Sequence, residues 1–348
     1  MRDWRIIMDL MRSVAELEDR LSTPCRAIVE DVGKLEGDIL VLGAGGKLGP
    51  SLVTLAVRAL EEARSGSRVI AVSRFSAPGS AEMIASNGAR VIEADLTDDD
   101  AIDALPDAAN VIFLVGSKFG TSGQEHSTWA TNSYLPGRII ERFPTSRMVA
   151  LSTGNVYPLI PIDSGGCTEA TPPDPMGEYA MSCLGRERIL EHFSIRQQTA
   201  VALIRLNYAV EMRYGVLVDI ARAVLVDEPV DVSMGYVNLI WQGYANEVIL
   251  RALHHASSPP FVLNLTGPEL VSIRQVALSL GELMGETPSF SGSEAPTALL
   301  SNAQRCHTLF GYPDVSLADL VENVANWVGS GLPLLNKPTG FERRDGRF

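Results

Sequence analysis

Between Gly43 and Gly49 the chain reads Gly43-Ala44-Gly45-Gly46-Lys47-Leu48-Gly49, entered by the apolar run Ile39–Leu42 and left by a helix-like stretch from Ser51 to Ala63. A strand, a tight glycine turn and a helix, in that order, leave backbone N–H groups at a helix start. The macrodipole there favours a phosphate. Glycines let the backbone approach a pyrophosphate and let the helix pack closely on the strand. The spacing is G-x-x-G-x-x-G, on Gly43, Gly46 and Gly49. The G-x-G-x-x-G form is broken because Leu48 stands where its last glycine belongs. The P-loop form is broken twice, since Val41 is not its first glycine and Leu48 carries no hydroxyl.

The elements that must position this turn follow from the hydrophobic pattern. Apolar runs occur at Ile39–Leu42, Val69–Val72, Val91–Ala94, Val111–Val115, Met148–Leu151 and Val201–Leu206, with helix-like stretches between most of them. Continuous apolar strands with helical crossovers predict an α/β fold of Rossmann type: a doubly wound parallel sheet covered on both faces. Ligands on such a sheet bind beyond the carboxyl ends of the strands, so the residues just after each run carry the information. Ser73-Arg74 follows the second run. An acid there would hold the ribose 2′-hydroxyl of NAD, whereas an arginine meets a 2′-phosphate, so NADP is expected with NAD possible. Asp95-Leu96 follows the third run, at the adenine edge. Gly116-Ser117-Lys118 follows the fourth, where a nicotinamide ribose would lie, and Ser152-Thr153-Gly154-Asn155-Val156-Tyr157 follows the fifth.

The rest of the chain divides around that core. Residues 1–36 precede the first strand, and Met1–Leu21 reads as one amphipathic helix ending near Ser22-Thr23-Pro24, placed to cover a sheet edge or a neighbouring subunit. Residues 37–210 form the dinucleotide-binding domain. Residues 211–335 form a smaller C-terminal substrate lobe interleaved with the last sheet strands: Gly235–Trp241 reads as a return to the sheet, Phe261–Leu265 as a strand, and Gly243–His254, Ser272–Met284 and Leu317–Val328 as helices. Residues 336–348 are an arm, rich in charge, laid over the surface or a partner.

Composition narrows the class. A formal net charge of −13 argues against a nucleic-acid surface, which needs a basic footprint. The four cysteines are far apart with no C-x-x-C, which fits free thiols in the cytoplasm. The adjacent pair His254-His255 cannot aim both rings at one metal from a helix, so no metal is expected. Met1–Arg12 is interrupted by Asp3, Arg5 and Asp9 and does not read as a signal peptide, and no apolar run reaches the roughly 18 residues of a membrane span.

Over roughly residues 38 to 330 these motifs, in this order, resemble the extended short-chain dehydrogenase/reductase family, the NAD-dependent epimerases and dehydratases that act mostly on nucleotide sugars. Gly43, Gly46 and Gly49 correspond to the cofactor turn and Asp95-Leu96 to the adenine contact. Ser152–Tyr157 is similar to the S-S-x-x-V-Y element, with Thr153 at its catalytic hydroxyl. Tyr179 is similar to the tyrosine of Y-x-x-x-K, Arg205-Leu206-Asn207 to the L-R-x-x-N stretch, and Asn264–Gly267 with Ser272-Ile273-Arg274 to the N-x-G…S-I-R element. The resemblance implies an NAD(P)-dependent oxidoreductase, epimerase or dehydratase acting on a hydroxyl carbon of a sugar, nucleotide sugar or sugar acid, and a homodimer. The cofactor would lie on Gly43, Gly45, Gly46, Lys47, Leu48, Gly49, Ser73, Arg74, Asp95, Leu96, Gly116 and Lys118. Thr153 and Tyr179 would be catalytic. Asn155, Asn207, Arg213 and Trp241 would face the substrate, with Glu178 beside the tyrosine as a possible acid or base.

One position departs from the pattern. Cys183 stands where the family has lysine. That lysine's charge lowers the tyrosine pKa from about 10, and its ammonium holds the nicotinamide ribose. A thiol does neither: it is a weak donor, and a thiolate carries the wrong sign. Cys183 is then either part of an altered catalytic set or a small buried helix residue. Arg186, seven residues beyond Tyr179 on the same helix face, and Lys118 are the cations able to compensate. The alternative is a dinucleotide-binding protein without catalysis, serving as a regulator or scaffold.

Overall fold

The structure, a computed structural model, describes residues 10–118 and 123–347. Seven strands form the central sheet: β1 (Ile39–Leu42), β2 (Val69–Ser73), β3 (Arg90–Glu93), β4 (Asn110–Phe113), β5 (Arg147–Thr153), β6 (Val201–Leu206) and β7 (Phe261–Leu265). Their order is β7-β6-β5-β4-β1-β2-β3, and every pairing is parallel. The fold is therefore the expected Rossmann-type α/β sheet. Both chain directions away from β1 start at one point, between β1 and β4, which makes that gap the switch point where ligands enter.

β1 shows why the strands read as unbroken apolar runs. Ile39 and Val41 pack into one hydrophobic cluster and Leu40 and Leu42 into another, all four fully buried. Successive side chains point to opposite faces, and both faces are covered by helices. Leu42 is in register with Val72 of β2 and Phe113 of β4, so the glycine turn that follows emerges level with the ends of both neighbours.

The N-terminal region differs from expectation. The helix begins only at Val14, because Ser13 is an extended N-cap whose hydroxyl accepts from Glu16 N, and it ends at Ser22. The rest of the expected helix, Met1–Asp9, lies outside the described residues. A second, unexpected helix follows at Arg26–Val32. Both pack on the chain's own helices Gly49–Glu62 and Gln242–Arg251, burying Leu17, Leu21, Ile28 and Val32. The described apolar face is thus spent within the chain, which removes the reason for placing a dimer interface there.

The lobe also departs at one point. Gly235–Trp241 does not rejoin the central sheet: Tyr236–Val237 pairs antiparallel with Val271–Ser272, and Ile240–Trp241 pairs parallel with Ala209–Val210. These short ribbons cap the carboxyl edge of the sheet. Phe261–Leu265 does enter it, beside β6.

The C-terminal arm lies on its own chain. Leu335 N donates to the Arg213 carbonyl at 3.0 Å, Thr339 and Phe341 are buried, and Arg344 bonds Thr297. The arm ends against the start of the long helix Gly177–Gln197, where a Cβ on Gly177 would sit 2.3 Å from the Gly346 carbonyl oxygen.

Candidate active site

The glycine turn separates three requirements. Gly43 has φ +87, and a Cβ there would press on Val115 and Leu114 of the next strand end. Gly49 opens the helix Gly49–Glu62, and its Cβ would lie 2.1 Å from the Ala44 carbonyl oxygen, so the helix start is packed on the turn. Gly46 is different: its Cβ would meet nothing within 4 Å except the Gly43 carbonyl oxygen at 3.2 Å. Two glycines serve the turn, and the third leaves open space over it.

That space continues into two cavities. One, of about 300 Å³, is walled by Gly43, Gly46, Lys47, Leu48 and Gly49 from the turn, Gly116 and Lys118 after β4, Thr153 and Asn155 after β5, Tyr179, Cys183 and Arg186 from the long helix, and Asn207 and Tyr208 after β6. The other, of about 280 Å³, meets Gly43 and Gly46 from the opposite side and is walled by Gly45, Ser73, Arg74, Asp95 and Leu96. A pyrophosphate over Gly46 would thus have a nucleoside-sized cavity on each side. The residues present fit a dinucleotide.

Strand ends and one helix bring the polar groups together. Thr153 closes β5; its hydroxyl bonds Tyr179 and accepts from Asn155 N at 3.2 Å. Gly154 is required because Asn207 lies over it: a Cβ there would be 1.6 Å from Asn207 Oδ1. Asn207 is buried, its Oδ1 accepts from Ser301, and its Nδ2 has no partner among the described residues. Cys183, one turn beyond Tyr179, is 2% exposed and in hydrogen-bond contact with the phenol.

The scaffold beneath is polar and closed. Arg205 of β6 pairs with Glu187 of the long helix at 2.6 Å, and Ser152 donates to the same carboxylate at 2.6 Å. This ties β5, β6 and the helix together directly under Thr153. Arg186 is also buried, but its partners are neutral: it donates to the carbonyls of Leu151 (2.5 Å) and Asn132 (3.0 Å) and to Asn132 Oδ1 (3.1 Å). Asn132 in turn exchanges two hydrogen bonds with the Ser117 backbone, at 2.8 and 2.9 Å, and so fixes the strand end that carries Gly116 and Lys118.

Some expected residues lie elsewhere. Arg213 does not reach the cavity: Glu211 and Glu18 hold it, joining the lobe to the N-terminal helix. Trp241 is buried in the hydrophobic core, and Glu178 accepts from the Trp129 indole. Residue type alone points an arginine or a tryptophan at a substrate and does not reveal a partner distant in sequence such as Glu18. Tyr214, the aromatic neighbour of Arg213 expected in the substrate lobe, does line the cavity, as do Tyr208 and Thr339, which no sequence pattern marks; Asn132 braces it from behind. Asn132 lies in a π-helical turn, Ala130–Tyr134, a wider turn often found at functional sites but without a spacing signature.

Burial sets the electrostatics. It pushes the Tyr179 phenol well above the usual tyrosine value; the Cys183 thiol adds to this, and Thr153 and Arg186 oppose it without prevailing. Burial raises Cys183 as well. Both groups are neutral near pH 7. Lys47 reaches across the cavity to donate to the Ala209 carbonyl at 2.5 Å and lies 3.9 Å over the Tyr214 ring. Burial lowers it to about 7, partly offset by Glu211. Lys118, which donates to the Thr339 carbonyl at 3.0 Å, is lowered to about 8 by burial.

Lys47 gives a pH-dependent prediction. Its folded pKa of about 7 lies below the free value of about 10.4. Between those values the unfolded chain holds a proton that the fold does not, so this residue's contribution to stability improves as pH rises through the window and is lost as pH falls toward 7. Thermal melts of Lys47→Met and wild type should therefore diverge in the variant's favour as pH falls from 10 to 6. A melting difference that is flat in pH would mean the amine is solvated.

Residues 39–210 match the model of the NAD dependent epimerase/dehydratase family. A comparison with curated proteins returns no match. Among solved structures, the chain is similar to dTDP-glucose 4,6-dehydratase DesIV from Streptomyces venezuelae with NAD and TYD bound (16% identity, TM-score 0.72, 84% of this chain and 97% of that one). It is similar to UDP-glucuronic acid 4-epimerase from Bacillus cereus in complex with NAD (20%, 0.70, 84% and 99%). It is also similar to UDP-glucose 4-epimerase from Thermotoga maritima with UDP-glucose (18%, 0.69, 84% and 99%). At these identities the likeness is one of fold. No helix among the described residues is long and apolar enough to cross a membrane.

Proposed function

We propose that the chain is an NAD(P)-dependent member of the extended short-chain dehydrogenase/reductase group that acts on a hydroxyl carbon of a sugar, nucleotide sugar or sugar acid. The observation that carries this reading is the meeting of Thr153 and Tyr179 in one cavity, beside a glycine turn with open space over Gly46. When bound, the nicotinamide supplies the hydride acceptor. Thr153 and Tyr179 hold the reacting oxygen between them, and the substrate's hydroxyl proton passes to the Tyr179 Oη in its phenolate form, the minor form near pH 7. Asn207 Nδ2, a buried donor without a partner among the described residues, would orient a second substrate oxygen.

Arg74 favours NADP. It lines the second cavity, and Asp95, at 3.9 Å, is its acidic neighbour rather than an acid at the end of β2. A homodimer completes the reading. With the N-terminal helix occupied, the apolar side chains exposed on neighbouring helices, Trp129, Tyr134 and Met181, are the surface it would use.

Cys183 favours a second reading, a dinucleotide-binding protein without turnover, because a buried neutral thiol stands where a cation would activate the tyrosine. Titration calorimetry with NADP and NAD, followed by the absorbance of the reduced nicotinamide with UDP-glucuronic acid, UDP-glucose and dTDP-glucose, decides. Tight NADP binding with reduction on one of these sugars is expected. Binding without any reduction and without any epimerised or dehydrated sugar supports the second reading, and no binding of either dinucleotide refutes both.

A further inference from the structure

Beyond the Tyr179 cavity lies another of about 230 Å³, reached through two shared wall residues, Asn155 and Tyr208. Its far wall is the C-terminal arm: Arg343, Arg344 and Gly346 face Asp174 and Met176. The arm is built in. Thr339 N and Oγ1 both donate to Asp219 Oδ2, at 2.7 and 2.6 Å, Lys118 donates to the Thr339 carbonyl, and Phe341 is 6% exposed. The similar solved structures are matched over 97–99% of their length by only 84% of this chain, so the chain carries segments beyond the shared fold.

Among the described residues, one of the two arginines that the arm brings to the cavity has no carboxylate partner. Arg344 is held by neutral acceptors, the Thr297 carbonyl at 2.6 Å and the Thr297 hydroxyl at 2.7 Å, with no carboxylate within ion-pair distance among the described residues. Arg343, which is exposed, pairs among the described residues with its neighbour Glu342, at 3.5 Å. Asp174 lines the same cavity, and among the described residues neither arginine forms an ion pair with it. A half-buried guanidinium fixed by neutral groups keeps donors and charge for an oxyanion, and its planar fork matches carboxylate and phosphate alike.

We infer that the C-terminal arm is a wall of the substrate chamber, and that Arg343 and Arg344 bind an acidic group, phosphate or carboxylate, that the substrate carries away from its reacting carbon. The inference rests on the proposed function only in placing the reacting carbon at Tyr179.

The test is calorimetry on the full-length, dinucleotide-loaded protein with two probes: UDP, which has phosphate and no carboxylate, and glucuronate, which has carboxylate and no phosphate. Dinucleotide affinity is measured first, and its absence would bring down the proposed function rather than this inference. With it intact, Arg343→Gln/Arg344→Gln should weaken one probe at least tenfold, and which probe responds identifies the acidic group. Arg344→Lys, which keeps the charge, should recover most of that loss. Equal loss in Arg344→Gln and Arg344→Lys with a lowered Tm would make the arginine a mere anchor of the arm and overturn the inference. So would a wild type that binds neither probe at millimolar concentration, or a double variant that binds both as the wild type does.

Discussion

Gly46→Val is expected to weaken dinucleotide binding roughly 100-fold or more, about 2.7 kcal/mol, while leaving the fold in place. The asymmetry comes from the turn. Gly46 is not in the left-handed region, and a Cβ there meets only the Gly43 carbonyl oxygen at 3.2 Å, so a side chain is tolerated with a small adjustment. Its methyl groups would project into the space between the two cavities, where the pyrophosphate must approach the backbone. A cost of about 1 kcal/mol would move the melting temperature by only ~2–4 °C, so binding and folding separate cleanly. Gly43 and Gly49 offer no such separation, since substitution there strains the backbone at φ +87 or drives a Cβ into Ala44. A folded Gly46→Val protein with wild-type dinucleotide affinity would show that no pyrophosphate crosses this turn.

The parts of the molecule legible in the sequence are those governed by local rules. All seven central strands coincide with apolar runs read from the chain; the five inner ones are buried on both faces and so have no alternation to obscure them, while the edge strands β3 and β7 are partly exposed. The glycine turn and the strand-end residues were legible for the same reason: sequence order places each at the carboxyl edge. What was not legible is whatever depends on a distant partner. Lys118 meets Thr339 and Arg213 meets Glu18 across some two hundred residues. No spacing announces either contact. The first makes a terminal arm part of the cavity, and the second turns an expected substrate arginine into a structural one. At the N-terminus the apolar periodicity passes through Ser13, but its capping bond makes a helix start at Val14. Arg186 illustrates a third case. Its helix position was plain, but only the fold shows that carbonyls rather than carboxylates hold it, so its field reaches Tyr179 and Cys183 uncancelled by an acid of its own.

Tyr179→Phe is expected to lower turnover by roughly 10²–10⁴-fold on the sugar selected above, because it removes the more acidic of the two hydroxyls at the reacting oxygen, the one proposed to take the proton. The pH profile of the wild type tests the same point more finely. Burial and the neighbouring thiol raise the Tyr179 pKa, and Arg186 opposes them without prevailing. If the phenolate is the working base, its fraction grows about tenfold per pH unit below that pKa, so the rate of sugar oxidation should still be climbing at pH 9. Cys183→Lys places an ammonium one turn from the phenol, stabilises the phenolate and should shift the profile toward acid, raising turnover at pH 7. The site is 2% exposed, and a charge buried there without a partner destabilises the fold, so the melting temperature is measured beside the rate. A folded Cys183→Lys protein with an unchanged profile would mean that position 183 does not act on the tyrosine. Should Tyr179→Phe retain every activity of the wild type, the phenol carries no proton, and the reading of this chain as a binding protein replaces the enzymatic one.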